Sequence, residues 1–205
     1  MPGRLFLTRG YTEVAAMAGL EPAGGPTYSP RRNIKPGQDV VVLTPQGCAL
    51  MRWGIIPVGR KNARGRPVME TIVNARSETL FEKTAFDGVG RGVVVADGWY
   101  EWTGTARRKT PWRIRPRNGA LLGFAAITDT WHAPGGQAVP QAAIVTCPPN
   151  ADVAQVHDRM GVLLAPVDWR RWMDAPVEEA RGLLQTPEAG ALEVEAADDV
   201  DWNAP

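Results

Sequence analysis

The leading candidates for proton transfer in this sequence are Glu101 and His157. Glu101 lies in the aromatic run 99–102, which follows a β-branched run and an Asp-Gly break. Alternation along a strand would place its carboxyl among aromatic side chains, where desolvation raises the pKa toward the general acid–base range. A surface carboxylate beside tryptophans is an equal alternative. His157 is the second candidate, although a histidine beside Asp158 and Arg159 is more often structural than catalytic.

Several polar and aromatic residues elsewhere favour contacts with a phosphate backbone and with bases. Asn74 and Arg76 precede a predicted helix over residues 80–86, a position well suited to ligand binding. Arg4 is a further candidate for a phosphate contact. Each has a plain alternative as a salt bridge or a core residue. The tryptophans that are candidates for stacking on bases are Trp53, Trp99 and Trp102.

Length and composition indicate one globular domain over residues 1–205. A chain of 205 residues buries about 70% of its unfolded surface, and no linker divides it. No apolar run approaches the roughly 20 residues of a membrane helix, and no signal peptide is evident, so we expect a cytoplasmic protein without a membrane partner. The segment from about residue 188 is acidic, and we expect it to fray after a last strand near residues 192–194.

The cysteines and short motifs predict neither a metal nor a cofactor. Cys48 and Cys147 are the only cysteines, and neither a CxxC pair nor a His/Cys cluster is present. Both are expected to be buried thiols, and a disulfide between them is disfavoured in a reducing compartment. The sequence also lacks a phosphate-binding Walker loop, a dinucleotide fingerprint and a Ser-His-Asp arrangement.

The charges are distributed unequally along the chain. Residues 1–117 carry 19 Lys/Arg against 9 Asp/Glu, whereas residues 118–205 carry 4 against 13. A basic first half is typical of a protein that binds a phosphate backbone. The alternative is that the two halves interleave in space and their fields cancel.

The predicted elements include a short strand at residues 5–8, a helix capped by Thr12 and a hairpin of strands 39–44 and 48–53. An exposed basic loop is predicted over residues 58–67. Strands at 112–115, 121–128 and 142–146 then form an antiparallel meander, and helices follow at 168–173 and 177–184.

Six motifs together resemble the SOS-response-associated peptidase family, the abasic-site-processing proteins, over roughly residues 1–175. The resemblance implies a single α+β domain in which curved, barrel-like antiparallel β-sheets are flanked by helices, with a positively charged channel for single-stranded DNA. The motifs are Met1-x-Gly3-Arg4, Asn33 with Pro36-Gly37, Trp53-Gly54-Ile55-Ile56-Pro57, Asn74-Ala75-Arg76-Ser77-Glu78-Thr79, Asp97-Gly98-Trp99-Tyr100-Glu101-Trp102 and His157-Asp158-Arg159-Met160.

The resemblance also implies a chemistry at the N-terminus and a role in the response to DNA damage. In this family the initiator methionine is removed, and the α-amine of a cysteine at position 2 attacks the aldehyde of an abasic site. The cysteine thiol then closes a stable thiazolidine, which crosslinks protein and DNA. The roles implied by motif position are proton transfer for Glu101 and His157, orientation of the N-terminal residue for Asn74, and DNA contacts for Arg4, Arg76 and Arg159.

This sequence departs from the family pattern at the nucleophile, because residue 2 is Pro2. A thiazolidine therefore cannot form, and Gly161 also replaces a typical proline. One hypothesis is that Pro2 forms only a transient iminium with the aldehyde, or acts as a lyase. The alternatives are a catalytically lapsed module that binds single-stranded DNA without a covalent bond, and a peptidase that removes its own Met1. The expected partner is single-stranded or junction DNA with abasic sites, bound by a monomer.

Overall fold

A computed structural model describes residues 2–21, 24–57, 70–105 and 108–203. The predicted basic loop at 58–67 lies outside these ranges. Within these ranges there are three α-helices: α1 (Tyr11–Ala18), α2 (Trp169–Asp174) and α3 (Val177–Gly182). The strands are β1 (Arg4–Leu7), β2 (Arg31–Ile34), β3 (Asp39–Thr44), β4 (Gly47–Trp53), β5 (Asn74–Arg76), β6 (Gly90–Ala96), β7 (Gly98–Thr105), β8 (Arg108–Pro116), β9 (Leu122–His132), β10 (Ala138–Cys147), β11 (Met160–Gly161) and β12 (Leu192–Ala196).

Five strands close into a barrel at the centre of the fold. They are hydrogen-bonded in the order β10-β4-β3-β6-β9, and β9 pairs again with β10. Their β-branched and small side chains, such as Val42, Val94 and Ala143, are fully buried, as expected for strands that pack their inner faces together. The α+β, barrel-like fold predicted above is confirmed. The sheet is not wholly antiparallel, because β10 runs parallel to β4 and to the short strand β5.

A second, antiparallel sheet packs on the barrel, and its strand β7 carries Glu101. Its order is β12-β8-β7-β1-β2. Leu5 and Trp99 belong to the main core, where the Trp99 ring meets Phe124 of the barrel edge-on at 5.6 Å between centroids. Phe6 and Tyr100 form a separate cluster on the opposite face. Strand alternation therefore gives β7 one face toward the barrel and one toward the C-terminal segment.

Two local predictions about helices are wrong. The predicted helix over residues 80–86 is replaced by two single 3₁₀ turns, Ser77–Thr79 and Thr84–Phe86, because Lys83 between them has extended backbone angles. Helix α1 begins at Tyr11, so Thr12 lies inside it, and Gly10 occupies the N-cap position without a side-chain hydrogen bond. Apolar spacing led to both helix predictions, whereas the backbone angles determine where helical structure begins and ends.

The C-terminal segment does not fray as predicted. Strand β12 pairs with β8 through five residues, and the chain then turns back over the outer face of β7. The Trp202 ring lies 5.0 Å from Tyr100 and 5.2 Å from Trp102 between centroids. The Asn33 amide donates a hydrogen bond to the Trp202 carbonyl at 2.9 Å. Aromatic contacts thus hold a segment that its acidic composition alone would leave in solvent.

Acidic residues from the second half of the chain neutralise basic residues from the first half along β8 and β12. Arg113 pairs with Glu195 at 3.1 Å and with Asp199 at 2.6 Å. Arg115 pairs with Glu193 at 3.1 Å. The two charge halves therefore interleave on this sheet, and the positive field expected from the first half is reduced there. Within the described ranges, no helix is long and apolar enough to cross a membrane.

Candidate active site

Glu101 lies in the interior of the protein, on the face of β7 that meets the barrel. Its relative exposure is 3%. Burial raises the pKa of its carboxyl to about 7, although an interaction with the Trp99 side chain favours the charged form and offsets part of the shift. The carboxyl therefore exchanges its proton near neutral pH, which is what a general acid or base requires. Trp102 lies on the opposite face and does not line this site.

His157 follows a series of turns over residues 151–156 and faces Glu101. The distance from Nε2 to Glu101 Oε2 is 3.8 Å, which is too long for a direct hydrogen bond. The backbone amide of Arg159 donates to His157 Nδ1 at 3.0 Å. Asp158 Oδ1 lies 2.8 Å from the same nitrogen, but its side chain is 89% exposed and screened by water. We therefore assign the neutral tautomer from the backbone amide, with the proton on Nε2 toward Glu101. Burial lowers the pKa of His157, which favours this neutral form.

A hydrogen bond from Asn74 holds the N-terminal segment of the chain in the site of Glu101 and His157. The Asn74 Nδ2 donates to the carbonyl oxygen of Pro2 at 3.0 Å, and Pro2 is buried. Strand β1 pairs Arg4 with Tyr100, and continuing that register places Gly3 alongside Glu101. The Asn74 Oδ1 atom is buried and finds no donor among the described residues. Strand β5, which carries Asn74, is held by parallel pairing with β10.

The two candidate phosphate contacts before residue 100 have different surroundings. Arg4 donates from Nη1 to Asn33 Oδ1 at 2.6 Å, and its guanidinium carbon lies 6.0 Å from the Trp102 ring centroid. Arg76 is exposed, and together with Asn74 and the exposed Lys83 it lines a groove of about 560 Å³. Arg76 is therefore placed to meet a ligand that enters beside Asn74, whereas Arg4 already has partners.

Two of the three tryptophans predicted to stack on bases cannot do so. Trp53 and Trp99 have no exposed surface. Trp53 donates from its indole nitrogen to the Val73 carbonyl at 3.2 Å, so its polar edge is also used within the core. Base stacking needs an accessible ring face, and the prediction for these two residues is wrong. Trp102 is half-buried and packs against Trp202.

Arg159 is already engaged by protein groups. Its guanidinium donates to both carboxylate oxygens of Glu78 and, at 2.7 Å, to the carbonyl oxygen of Thr146. Sequence reasoning gave Glu78 and Thr146 no role. The only sequence signal for Glu78 was its place in the motif that contains Asn74. Its partner, Arg159, is 81 positions away along the chain.

Neither cysteine substitutes for a thiol at position 2. Cys48 and Cys147 are both free, so the disfavoured disulfide is absent. Cys147 is buried as predicted, whereas Cys48 is only half-buried. Burial raises the pKa of the Cys48 thiol to about 11 and also raises that of Cys147, so neither forms a thiolate readily. In the part of the chain that the structure describes, no group of three His, Cys, Asp or Glu side chains gathers as metal ligands.

These features define a class of protein: an α+β barrel that holds its own N-terminal segment against a buried carboxyl, a histidine and an amide. The chain belongs to the SOS response associated peptidase (SRAP) family, whose model matches residues 1–200. The family assignment made from the six motifs is confirmed.

Individual relatives agree with this assignment. The chain is 30% identical over 177 residues to abasic site processing protein YoqW of Bacillus subtilis, and the alignment covers 81% of this chain and 78% of YoqW. It is 32% identical over 155 residues to abasic site processing protein YoaM of the same organism, with 72% and 67% covered. A crystal structure of a protein from Bacteroides thetaiotaomicron superposes with a TM-score of 0.82 at 19% identity, covering 94% of this chain and 90% of that chain. That likeness shows the shared fold.

Proposed function

We propose that this protein processes abasic sites, as the names of its relatives state for them, and that it acts on these sites in single-stranded DNA. The observation that carries the proposal is the hydrogen bond from Asn74 to the Pro2 carbonyl, 3.0 Å long, beside the Glu101 and His157 pair. Removal of Met1 would leave the Pro2 nitrogen as a secondary amine at that position. We expect the protein to act as a monomer on one strand.

The amine of Pro2 has the reactivity that an abasic-site aldehyde requires. An α-amine titrates near 8, so a useful fraction is neutral at physiological pH. The nitrogen forms a bond to the aldehyde carbon and releases its proton. The aldehyde oxygen takes up that proton and one more from an acid, and leaves as water, which gives an iminium. Pro2 has no thiol to trap this iminium, so the crosslink is transient.

The iminium has two outcomes, hydrolysis and elimination. Hydrolysis returns the aldehyde and the free amine. Alternatively, a base removes a proton from the carbon next to the iminium carbon, and the electron pair expels the 3′ phosphate, which cleaves the strand. Glu101, with a pKa of about 7, is able to donate a proton while the iminium forms and to accept a proton during the elimination. Neutral His157 presents an Nε2 proton on the same side of the site.

The surface around Asn74 supports DNA as the substrate. The groove beside Asn74 carries the exposed cations Arg76 and Lys83 and one exposed carboxylate, Glu82, and the two cations attract phosphates. By contrast, Arg113 and Arg115 on the second sheet are paired with carboxylates. We therefore assign the DNA path to the groove beside β5, and we expect single-strand affinity to fall steeply with added salt.

Borohydride trapping tests this proposal. The protein is incubated with a single strand carrying one abasic site, with and without borohydride, and intact-mass analysis reports whether Met1 is present. We expect a covalent adduct only with borohydride, because reduction fixes the iminium. Pro2→Cys is the matched variant, and it should give an adduct that is stable without borohydride.

The same experiment separates the alternative functions. DNA binding with no trapped adduct would refute the iminium and favour a non-covalent single-strand binding module, which the absence of a thiol at Pro2 independently suggests. Retention of Met1 in Glu101→Gln but not in the parent protein would favour a peptidase that removes its own Met1, since Glu101 lies beside the N-terminal segment.

A further inference from the structure

A strap of residues 197–203 covers the outer face of β7. The Trp202 ring lies 5.0 Å from the Tyr100 ring and 5.2 Å from the Trp102 ring between centroids. Its backbone carbonyl also accepts a hydrogen bond from the Asn33 amide at 2.9 Å. Trp202 lies beyond the part of the chain that the family model matches, so membership of the family does not predict these contacts. The strap therefore places a ring of its own on an aromatic surface.

Arginines flank the aromatic rings on this face. Arg4 of β1 and Arg113 of β8 are each paired with Tyr100, and directly paired residues point to the same face of a sheet. The guanidinium carbon of Arg4 lies 6.0 Å from the centroid of the Trp102 ring. Arg113 donates from Nη2 to Asp199 of the strap at 2.6 Å. Guanidinium groups beside aromatic rings are the groups that bind the phosphates and bases of a single strand.

The strap presents to this face the same two groups that a nucleotide presents. Asp199 supplies an anion, and its hydrogen bond with Arg113 lowers the pKa of the carboxyl, so that it stays negative at neutral pH. Trp202 supplies a flat ring against Trp102. A phosphate would satisfy Arg113 in place of the carboxylate, and a base would stack on Trp102 in place of the indole.

The strap is held by contacts that do not belong to a sheet. After β12 ends at Ala196, residues 197–203 form turns rather than a strand. The Asp199 side chain is 64% exposed, so water screens its pair with Arg113. Arg113 keeps a second partner, Glu195 at 3.1 Å, when Asp199 leaves. Release of the strap therefore leaves both sheets intact.

The covered face begins beside the N-terminal residue of the candidate site. Arg4 is two positions from Pro2, whose carbonyl accepts the hydrogen bond from Asn74. Alternation along the strands puts Glu101 on the inner face of the sheet, whereas Arg4 lies with Trp102 on the outer face. A strand whose abasic nucleotide reaches Pro2 therefore lies at the edge of both faces, and its next nucleotides are able to reach the outer one.

We propose that the outer face of β7 is a second binding surface for single-stranded DNA, and that the strap occupies this surface until a strand displaces it. The strand then brings phosphates to Arg4 and Arg113 and bases to Trp102. This inference rests on the single-stranded DNA substrate proposed above, but not on the chemistry at Pro2. It also accounts for an acidic segment that packs on the protein instead of fraying.

The dissociation constant of an undamaged oligothymidine of about 16 nucleotides tests the inference without any covalent step. Trp202→Ala should lower this constant about tenfold, because the apparent affinity is limited by the fraction of molecules whose strap has left the surface. Asp199→Asn, at an exposed position, should lower it as well and should steepen the salt dependence by about one phosphate contact. Adding Arg113→Gln to Trp202→Ala should remove most of the gain.

Glu179→Gln is the matched control for the change in charge. Arg171 pairs with Glu179 at 2.9 Å and with Asp168 at 2.8 Å, so this substitution also removes one of two carboxylates that share an arginine. Both partners lie on the short helical elements near the C-terminal end of the chain, outside the strap and the groove beside β5. The dissociation constant of Glu179→Gln should stay within about twofold of the parent value.

Hydrogen exchange of the parent protein measures displacement of the strap directly. Binding of the oligothymidine should speed exchange of the backbone amides of residues 197–203, because the strand takes over the contacts that protect them. In the same sample, exchange in β5 should not become faster. Unchanged or slower exchange in the strap would contradict displacement.

Three binding results would overturn the inference. The first is an unchanged or weaker affinity in both Trp202→Ala and Asp199→Asn while the parent protein binds the strand. The second is an equal gain in Glu179→Gln, which would show that only net charge matters. The third is a gain that persists in full when Arg113→Gln is added. By contrast, absence of a trapped adduct in a protein that shows these gains would refute only the proposed reaction at Pro2, and absence of strand binding by the parent and all variants would refute the proposed substrate as well.

Discussion

Burial of the Glu101 carboxyl should make the folded protein less stable as the pH rises from acid to neutral. The folded-state pKa is about 7, above the ordinary value of 4.5 that we take for the unfolded chain. Between these two values the folded state retains a proton that the unfolded state releases. Stability from this group is therefore greatest below pH 4.5 and is lost as the pH rises through 7. Glu101→Gln removes the ionisation while keeping the shape of the side chain.

The size of the effect follows from the difference in pKa. Each unit corresponds to 1.36 kcal/mol, so a rise from 4.5 to about 7 destabilises the folded state by about 3 kcal/mol at pH 8. Because Glu101 is almost completely buried, screening by solvent reduces this value little. That is a substantial part of the 5–15 kcal/mol that typically separates folded from unfolded states. The Gln variant should match the parent near pH 4 and exceed its unfolding free energy by about 3 kcal/mol at pH 8.

Urea denaturation of the parent and the Glu101→Gln variant at several pH values between 4 and 8 measures this difference directly. Subtracting one protein from the other removes the contributions of all other titrating groups. Glu82→Gln, which changes an exposed carboxylate, sets the baseline for loss of one negative charge. A difference between Glu101→Gln and the parent that stays constant over this range would refute the link between burial and ionisation of Glu101.

Three further predictions follow from individual contacts. Asn74→Ala leaves the Pro2 carbonyl without its donor, so trapped adduct should fall about tenfold while single-strand affinity is kept; equal losses in both would contradict the orienting role. Trp202→Ala should lower the unfolding free energy in urea by about 1–2 kcal/mol, since the ring holds the C-terminal segment on β7, and no change would show that the segment contributes nothing. Gly161→Ala should lower it by about 1–3 kcal/mol, because an added Cβ would lie 2.4 Å from a Phe124 ring carbon; an unchanged urea midpoint would contradict this packing.

Local sequence patterns located the strands of the site better than its turns. The β-branched run 93–95 and the aromatic run 99–102 do lie in successive strands, β6 and β7, separated at Asp97. The helix predicted over residues 80–86 failed because the chain forms two 3₁₀ turns, Ser77–Thr79 and Thr84–Phe86, with the extended residue Lys83 before the second, although its apolar spacing resembles that of a short helix. The barrel-like arrangement was predicted only from the family resemblance, because local sequence patterns do not reveal strand order, which depends on pairings between distant segments.

Residue type alone could not distinguish a binding role from a structural one. Trp53 and Trp99 suit base stacking by chemistry, but both fill the core. Arg159 suits a phosphate by charge, and the fold also brings Glu78 to it from 81 positions away, a contact that its charge alone does not predict. Arg113 likewise contributes to the basic first half of the sequence and is neutralised by Glu195 from the second. In each case the deciding partner is distant in the chain.

The burial of Glu101 supports the proposal that this site transfers protons, although residue 2 is Pro2 where the family pattern has a cysteine. A module that only held DNA would gain nothing from a buried carboxyl that destabilises the fold at neutral pH, and a glutamine would bind there without that penalty. A reaction at an amine does need such a group, because a pKa near 7 allows both donation and acceptance of a proton. The position of Pro2, held by Asn74 beside this carboxyl, then favours a reactive secondary amine over a lapsed site.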